Sequence, residues 1–210
     1  MILSINDSLI LFRFIFKTLK KFILILFIFI SLSFKINDNC GKYRWYVKTL
    51  TDAQGSTLLN QPSHPTSIHA LVNEYRTAPH FERDPSVRYD DEKKVVKVEV
   101  ILLAIKAEED NDFHIVLKST NSDETLVGEV PYGDCSTFDN HLNLRNHFNT
   151  LRRQIVNEIG FYPTKKLKYV NRKIILEGVP FWDEMSNGHK PTGSSPNQRE
   201  VHPILKMEFK

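Results

Sequence analysis

The chain has 210 residues, enough for one domain with an appendage, and carries 28 Lys+Arg against 25 Asp+Glu. Residues 1–33 hold four of the basic residues and one acid, which leaves 24 of each sign and no net charge on the remainder. That balance argues against nucleic acid as a partner, because such binders use a basic excess to displace phosphate counterions. The sequence pI of about 8.7 comes from the N-terminal segment and is silent about partners.

Arg13, Lys17, Lys20 and Lys21 precede the uncharged run FILILFIFISLSF, Phe22 to Phe34. A basic start, a short apolar core and small residues at Ser31 and Ser33 predict a secretory signal over 1–33 and a secreted or periplasmic product. The run is shorter than the roughly 20 residues of a bilayer span, but LILFRFIF extends it upstream. The alternative is therefore a membrane anchor over residues 10–34, which would be the chain's only membrane contact. Cys40 and Cys135 both follow this segment, and in an oxidising compartment two cysteines predict one disulfide; two unrelated thiols are the alternative.

Residues 34–93 read as an N-terminal strand and an irregular extension. KYRWYVKTL sets Tyr43, Trp45 and Val47 on one side, as a strand does. The stretch beyond it holds Pro62, Pro65, Pro79 and Pro85, with a short helix predicted near residues 66–75 through Ile68, Leu71 and Val72. Residues 94–210 are the regular domain. KVVKVEVILLAIK predicts a long strand with both faces covered, and FHIVLK and TLVGEVP predict two more, separated by the turns EEDND and STNSDE. Leu144, Phe148, Leu151, Ile155 and Ile159 share one helix face, with Asp139 or Asn140 as cap and Gly160 as stop. KYVNRKIILEGV and EVHPILKMEF close the list as strands, joined by the Gly-, Pro- and Ser-rich loop PFWDEMSNGHKPTGSSPNQR. Three strands, a helix and two strands make the order of an OB-like five-stranded barrel with its helix between strands three and four. A generic mixed α+β sheet is the competing class.

The segments EEDNDFHIVLKS…TLVGEVPYGDC, LEGVPFWDE and REVHPILKMEF together resemble a group of exported bacterial proteins of uncharacterised function. The resemblance covers residues 94–210 and brings no activity with it. It implies that His114, Cys135, Phe181, Asp183, Glu200 and His202 are signature positions. A more distant likeness is to the staphylococcal-nuclease-like phosphodiesterases, through the acidic turn Asp110–Asp112 and Asp134. That family needs an arginine where TLVGEVP has none, and Phe113 stands after Asp112 where it has Thr.

No cofactor motif and no metal-ligand spacing is present: there is no His-Glu-x-x-His, paired Cys-x-x-Cys or Gly-rich phosphate loop. If catalysis occurs, the candidate residues are Asp112, His114, Glu129, Glu200 and His202. On a strand, Glu200 and His202 share a side, while Val201, Pro203, Leu205, Met207 and Phe209 take the other, apolar side. The pair is therefore expected on the less buried face, pinning the long loop's end rather than moving protons. The loop offers Phe181 and Trp182 as an aromatic surface, with Asp183, His189 and Arg199 as polar contacts. The expected function is an exported binding module for a glycan, a peptide or a partner protein. A hydrolase, nuclease-like or otherwise, and a structural module of the cell envelope are the alternatives.

Overall fold

The computed structural model describes residues 40–73, 87–183, 195 and 198–210, all within one unit spanning Asn39–Lys210. The predicted signal or anchor and His189 lie outside the described residues. The fold is β-rich. Its elements are α1 (Trp45–Lys48), α2 (Gly55–Leu58), β1 (Ser63–Pro65), α3 (Ile68–Asn73), β2 (Val95–Ala107), β3 (Phe113–Ser119), β4 (Thr125–Val130), α4 (Leu142–Ile159), β5 (Lys168–Trp182) and β6 (Arg199–Phe209). Short 3₁₀ turns occupy Asp90–Lys93 and Ser136–Phe138. Among the described residues, no helix is long and apolar enough to cross a membrane.

The five predicted strands of the regular domain all form, and a sixth, β1, joins them parallel to β2. The sheet order is β1-β2-β3-β4-β6-β5, with β2 also pairing β5, so β2 to β6 form a ring of strands. Its neighbours are antiparallel except at the β4–β6 join, where Val127 meets Glu200 and Gly128 meets Val201 in parallel. This join is short and non-local. It is also what brings the C-terminal strand against the third strand of the ring.

Burial follows the sequence pattern where that pattern is regular. Along β2, Val96, Val98, Val100, Leu102 and Ala104 are buried with alternate positions more exposed. Along α4, Leu144, Phe148, Leu151 and Ile155 form the buried stripe, and Gly160 ends the helix in the left-handed region at φ 75°. The expected caps Asp139 and Asn140 are displaced by one position, because the Ser136–Phe138 turn carries the chain in and His141 precedes the first helical residue. The helix is tied to β6 by His147 Nε2 and Gln154 Nε2, which donate to the Leu205 and Met207 carbonyls at 2.8 and 2.9 Å.

The strand expected at KYRWYVKTL does not form. Residues Trp45–Lys48 are one helical turn whose backbone donors are satisfied locally, Lys48 N–H to Arg44 and Thr49 N–H to Trp45, each at 3.0 Å. A two-residue alternation over so few positions fits a single turn as well as a strand. The turn and the segments after it enter the main core through Trp45, Leu50, Leu58, Ile68, Leu71 and Val72. They are also held by buried ion pairs: Arg44 with Glu92 at 2.6 Å and Arg88 with Asp52 at 2.6 Å. Cys40 and Cys135 are bonded, with Cα atoms 5.8 Å apart, fastening the start of the described chain to the turn after β4.

Candidate functional site

The ring places five titratable side chains together that the sequence spreads over ninety positions: Asp112, His114, Glu129, Glu200 and His202. Each arrives for a local reason. Asp112 ends the tight turn between β2 and β3, where Asn111 adopts φ 69°, and its Oδ1 accepts the Tyr132 N–H at 2.7 Å. His114 on β3 and Glu129 on β4 are direct cross-strand partners, and His114 Nδ1 lies 2.9 Å from Glu129 Oε1 in a hydrogen bond. Glu108, on the same turn as Asp112, approaches His114 Nδ1 at 3.2 Å. Glu200 and His202 come from β6 on one face, two residues apart, delivered by the parallel join to β4.

His202 sits at the centre and is fully buried. Its Nδ1 is 3.0 Å from Glu129 Oε2 and 3.8 Å from Glu200 Oε2; its Nε2 is 3.6 Å from Asp112 Oδ2. The Nδ1 contact with Glu129 is an ion pair, whereas Nε2, Asp112 Oδ2 and Glu200 Oε2 make no hydrogen bond. The Phe181 ring packs edge-on against the imidazole at 5.8 Å between centroids.

The protonation pattern follows from these neighbours. Burial pushes Asp112 well above the ordinary carboxylate range, with His202 opposing and Asp110 and Glu129 adding to the rise. Burial, Glu129 and Asp183 push Glu200 up to about 7. Burial acts the same way on Glu129 but is outweighed by His114 and His202, which hold it well below the ordinary value. Burial would lower His202, yet Glu129 and Glu200 prevail and raise it to about 9. His114 is likewise raised against burial by Glu129 and Glu108. Two carboxyls and an imidazole held this differently within a few ångströms can store and pass protons.

Lys48 was missed by sequence reading. It projects from α1 to the same region, with Nζ 3.0 Å from Asp183 Oδ1 and 5.0 Å from the Phe181 ring centre. Burial depresses its affinity for a proton, but Asp183, Glu200 and Glu129 more than compensate and raise it. No signal in KYRWYVKTL separated this lysine from an ordinary surface cation.

The expected position of the Glu200–His202 pair needs correction. The face is not the less buried one: both residues are buried, with the Phe181 ring packed against His202 and Lys48 of α1 lying over that ring. The expected aromatic surface also differs from the structure. Phe181 and Trp182 are 0% and 2% exposed and belong to the interior. Trp182 Nε1 donates to Asp91 Oδ2 at 3.0 Å, and Arg199 lies over the Trp182 ring at 4.6 Å while pairing with Asp91. Phe181, Trp182 and Arg199 therefore anchor the two ends of the long loop, and Asp183 is engaged by Lys48. Their position beside a polar loop suggested exposure; their partners, Asp91 and Glu92, are some ninety residues distant.

No family model, curated protein or solved structure matches this chain.

Proposed function

We propose that the chain is an exported OB-like barrel domain whose acid–histidine cluster is a hydrolytic centre. The strand ring, with α4 between β4 and β5, supports the OB-like assignment, since that fold places its helix between its third and fourth barrel strands. The bonded cysteine pair supports export. Membership of the exported group resembled by residues 94–210 is part of the same reading.

The observation that carries the hydrolytic reading is the convergence of Asp112, His114, Glu129, Glu200 and His202 in one buried place. Burying that many ionisable groups is costly, and apolar residues of similar size would generally be as stable or more so. Such arrangements concentrate at functional sites. No serine or cysteine is among the five, so the nucleophile they would activate is water. In this reading Glu200 and His202 exchange the proton, and Glu129 and Asp112 orient and balance the imidazole, as carboxylates do for a catalytic histidine.

A panel of chromogenic phosphodiester, glycoside, carboxylic ester and peptide substrates tests the proposal. The wild-type chain should turn over one class, and Glu200→Gln should lower kcat by about 100-fold or more. Equal residual rates for both proteins across the panel would remove the hydrolytic reading. A second reading, a binding module that holds a glycan, peptide or protein without turnover, draws on one observation: every one of the five side chains is buried. It would be the account left standing by that result.

A further inference from the structure

We propose that Asp112, Glu129 and His202 form a site for one divalent cation of the zinc type, a class that binds mixed imidazole and carboxylate donors. The inference concerns the same cluster and rests on reading it as functional, but it is measured without turnover. The three residues offer ligand atoms that all lie within 4.8 Å of one another, and all three are buried. A cluster of acids alone would not suffice. The second, independent observation is that the buried His202 leaves its Nε2 without a hydrogen bond, and Asp112 Oδ2 beside it is equally unmatched. Buried polar atoms in folded proteins nearly always find a partner, so these point to a missing one.

The spacing fits an ion better than it fits a bond. His202 Nε2 and Asp112 Oδ2 are 3.6 Å apart, too far for a hydrogen bond. Two donors each about 2.1 Å from one tetrahedral ion would sit about 3.4 Å apart. In the other carboxylate–histidine grouping, Glu108, His114 and Glu129, both carboxylates approach the same nitrogen, His114 Nδ1, which already makes a hydrogen bond to Glu129 Oε1 at 2.9 Å. His114 thus holds Glu129 from behind, the role that orienting partners play for a metal-binding carboxylate. One imidazole among the donors favours zinc or its transition-series neighbours over calcium or magnesium, which take oxygen donors almost exclusively. Held there, the ion would lower the pKa of a bound water and supply the nucleophile that the cluster itself lacks.

The test uses the full chain, stripped with chelator and titrated with Zn²⁺, with Co²⁺ as a spectroscopic probe and Ca²⁺ for comparison. The wild type should retain close to one zinc per chain after desalting and show cobalt d–d absorption that saturates at the same ratio. Asp112→Asn, which preserves shape, and His202→Gln should each weaken zinc affinity by more than about 100-fold, beyond the 10–100-fold typical of an orienting partner. His69→Gln should change nothing, because its ring is on the surface. Absence of saturable uptake by the wild type overturns the proposal whatever the variants do. So does a folded Asp112→Asn chain that binds like wild type, or loss of binding on His69→Gln. Turnover by the metal-free chain together with absent zinc uptake would reject the metal site and leave the hydrolytic reading intact.

Discussion

Glu92 offers the sharpest test of how the N-terminal segments hold the ring. It is fully buried, and its carboxylate accepts from Arg44 Nη1 at 2.8 Å, Arg44 Nη2 at 2.6 Å, and the Tyr89 and Trp182 N–H groups at 3.0 Å each. One side chain thus ties α1, the turn before β2 and the end of β5. Replacing it with alanine leaves the buried Arg44 guanidinium without its anion, which costs about 3–5 kcal/mol in comparable pairs. The Trp182 N–H also loses its acceptor, and a buried donor left unmatched costs about 1–3 kcal/mol. These costs overlap, and Arg44 keeps the Val87 carbonyl at 2.9 Å and the Tyr89 ring at 4.6 Å. The net prediction for Glu92→Ala is a loss of about 4 kcal/mol, against a total of about 5–15 kcal/mol for an ordinary domain. Urea unfolding followed by tryptophan fluorescence measures it, since Trp45 and Trp182 are both in the interior. The double variant Arg44→Met/Glu92→Leu should regain at least half of the loss, because the stranded charge is gone. A loss below about 1 kcal/mol, the value of an exposed ion pair, would refute the reasoning.

Cys40→Ser with Cys135→Ser should lower stability by up to about 4.7 kcal/mol in the chain-entropy model for a 95-residue separation, and an unchanged urea midpoint would contradict this. Burial lowers the His147 pKa, with its bond to the Leu205 carbonyl opposing, so the unfolded chain takes up the proton more readily. His147 therefore stabilises fully above the ordinary histidine range and loses that contribution as pH falls through about 6.5; His147→Gln should flatten the urea midpoint between pH 7.5 and 5.5, and equal slopes would count against it. At Gly178 a Cβ would lie 2.3 Å from Val201 Cγ1 and 2.8 Å from the Pro203 carbonyl. Gly178→Ala should cost about 1–3 kcal/mol and shift the amide resonances of residues 200–204, and a silent spectrum there would show that β6 has room.

What the sequence made legible was what depends on near neighbours. The helix stripe from Leu144 to Ile155 and the run of strands from β2 to β6 emerge from periodicity alone. The shared face of Glu200 and His202 follows from strand alternation. Their burial does not, because it depends on segments far apart in the chain: Phe181 of β5 packs on His202, and Lys48 of α1 lies over Phe181. The same holds for Phe181 and Trp182, which look like loop aromatics until Asp91 and Glu92 are brought against them. At α1 the failure is of another kind: an alternation over four residues does not distinguish a strand from one helical turn. The five candidate titratable residues were named from sequence, whereas Lys48 and the central place of His202 required the fold.

The central claim is that the acid–histidine cluster exists for function rather than for stability. Asp112 Oδ2 and Glu200 Oε2 lie 3.6 and 3.8 Å from His202, beyond a good hydrogen bond, and both carboxyls are buried near Glu129. The unfolding free energy of Asp112→Asn/Glu200→Gln at pH 7, measured in urea on the metal-free chain, puts the claim to the test. Neutral isosteres relieve the crowding of acids, so the account predicts a stability equal to wild type or higher, by up to about 1–4 kcal/mol, together with loss of turnover and of zinc uptake. A fall of more than about 2 kcal/mol would mean that the two carboxyls hold the fold together, and would contradict it.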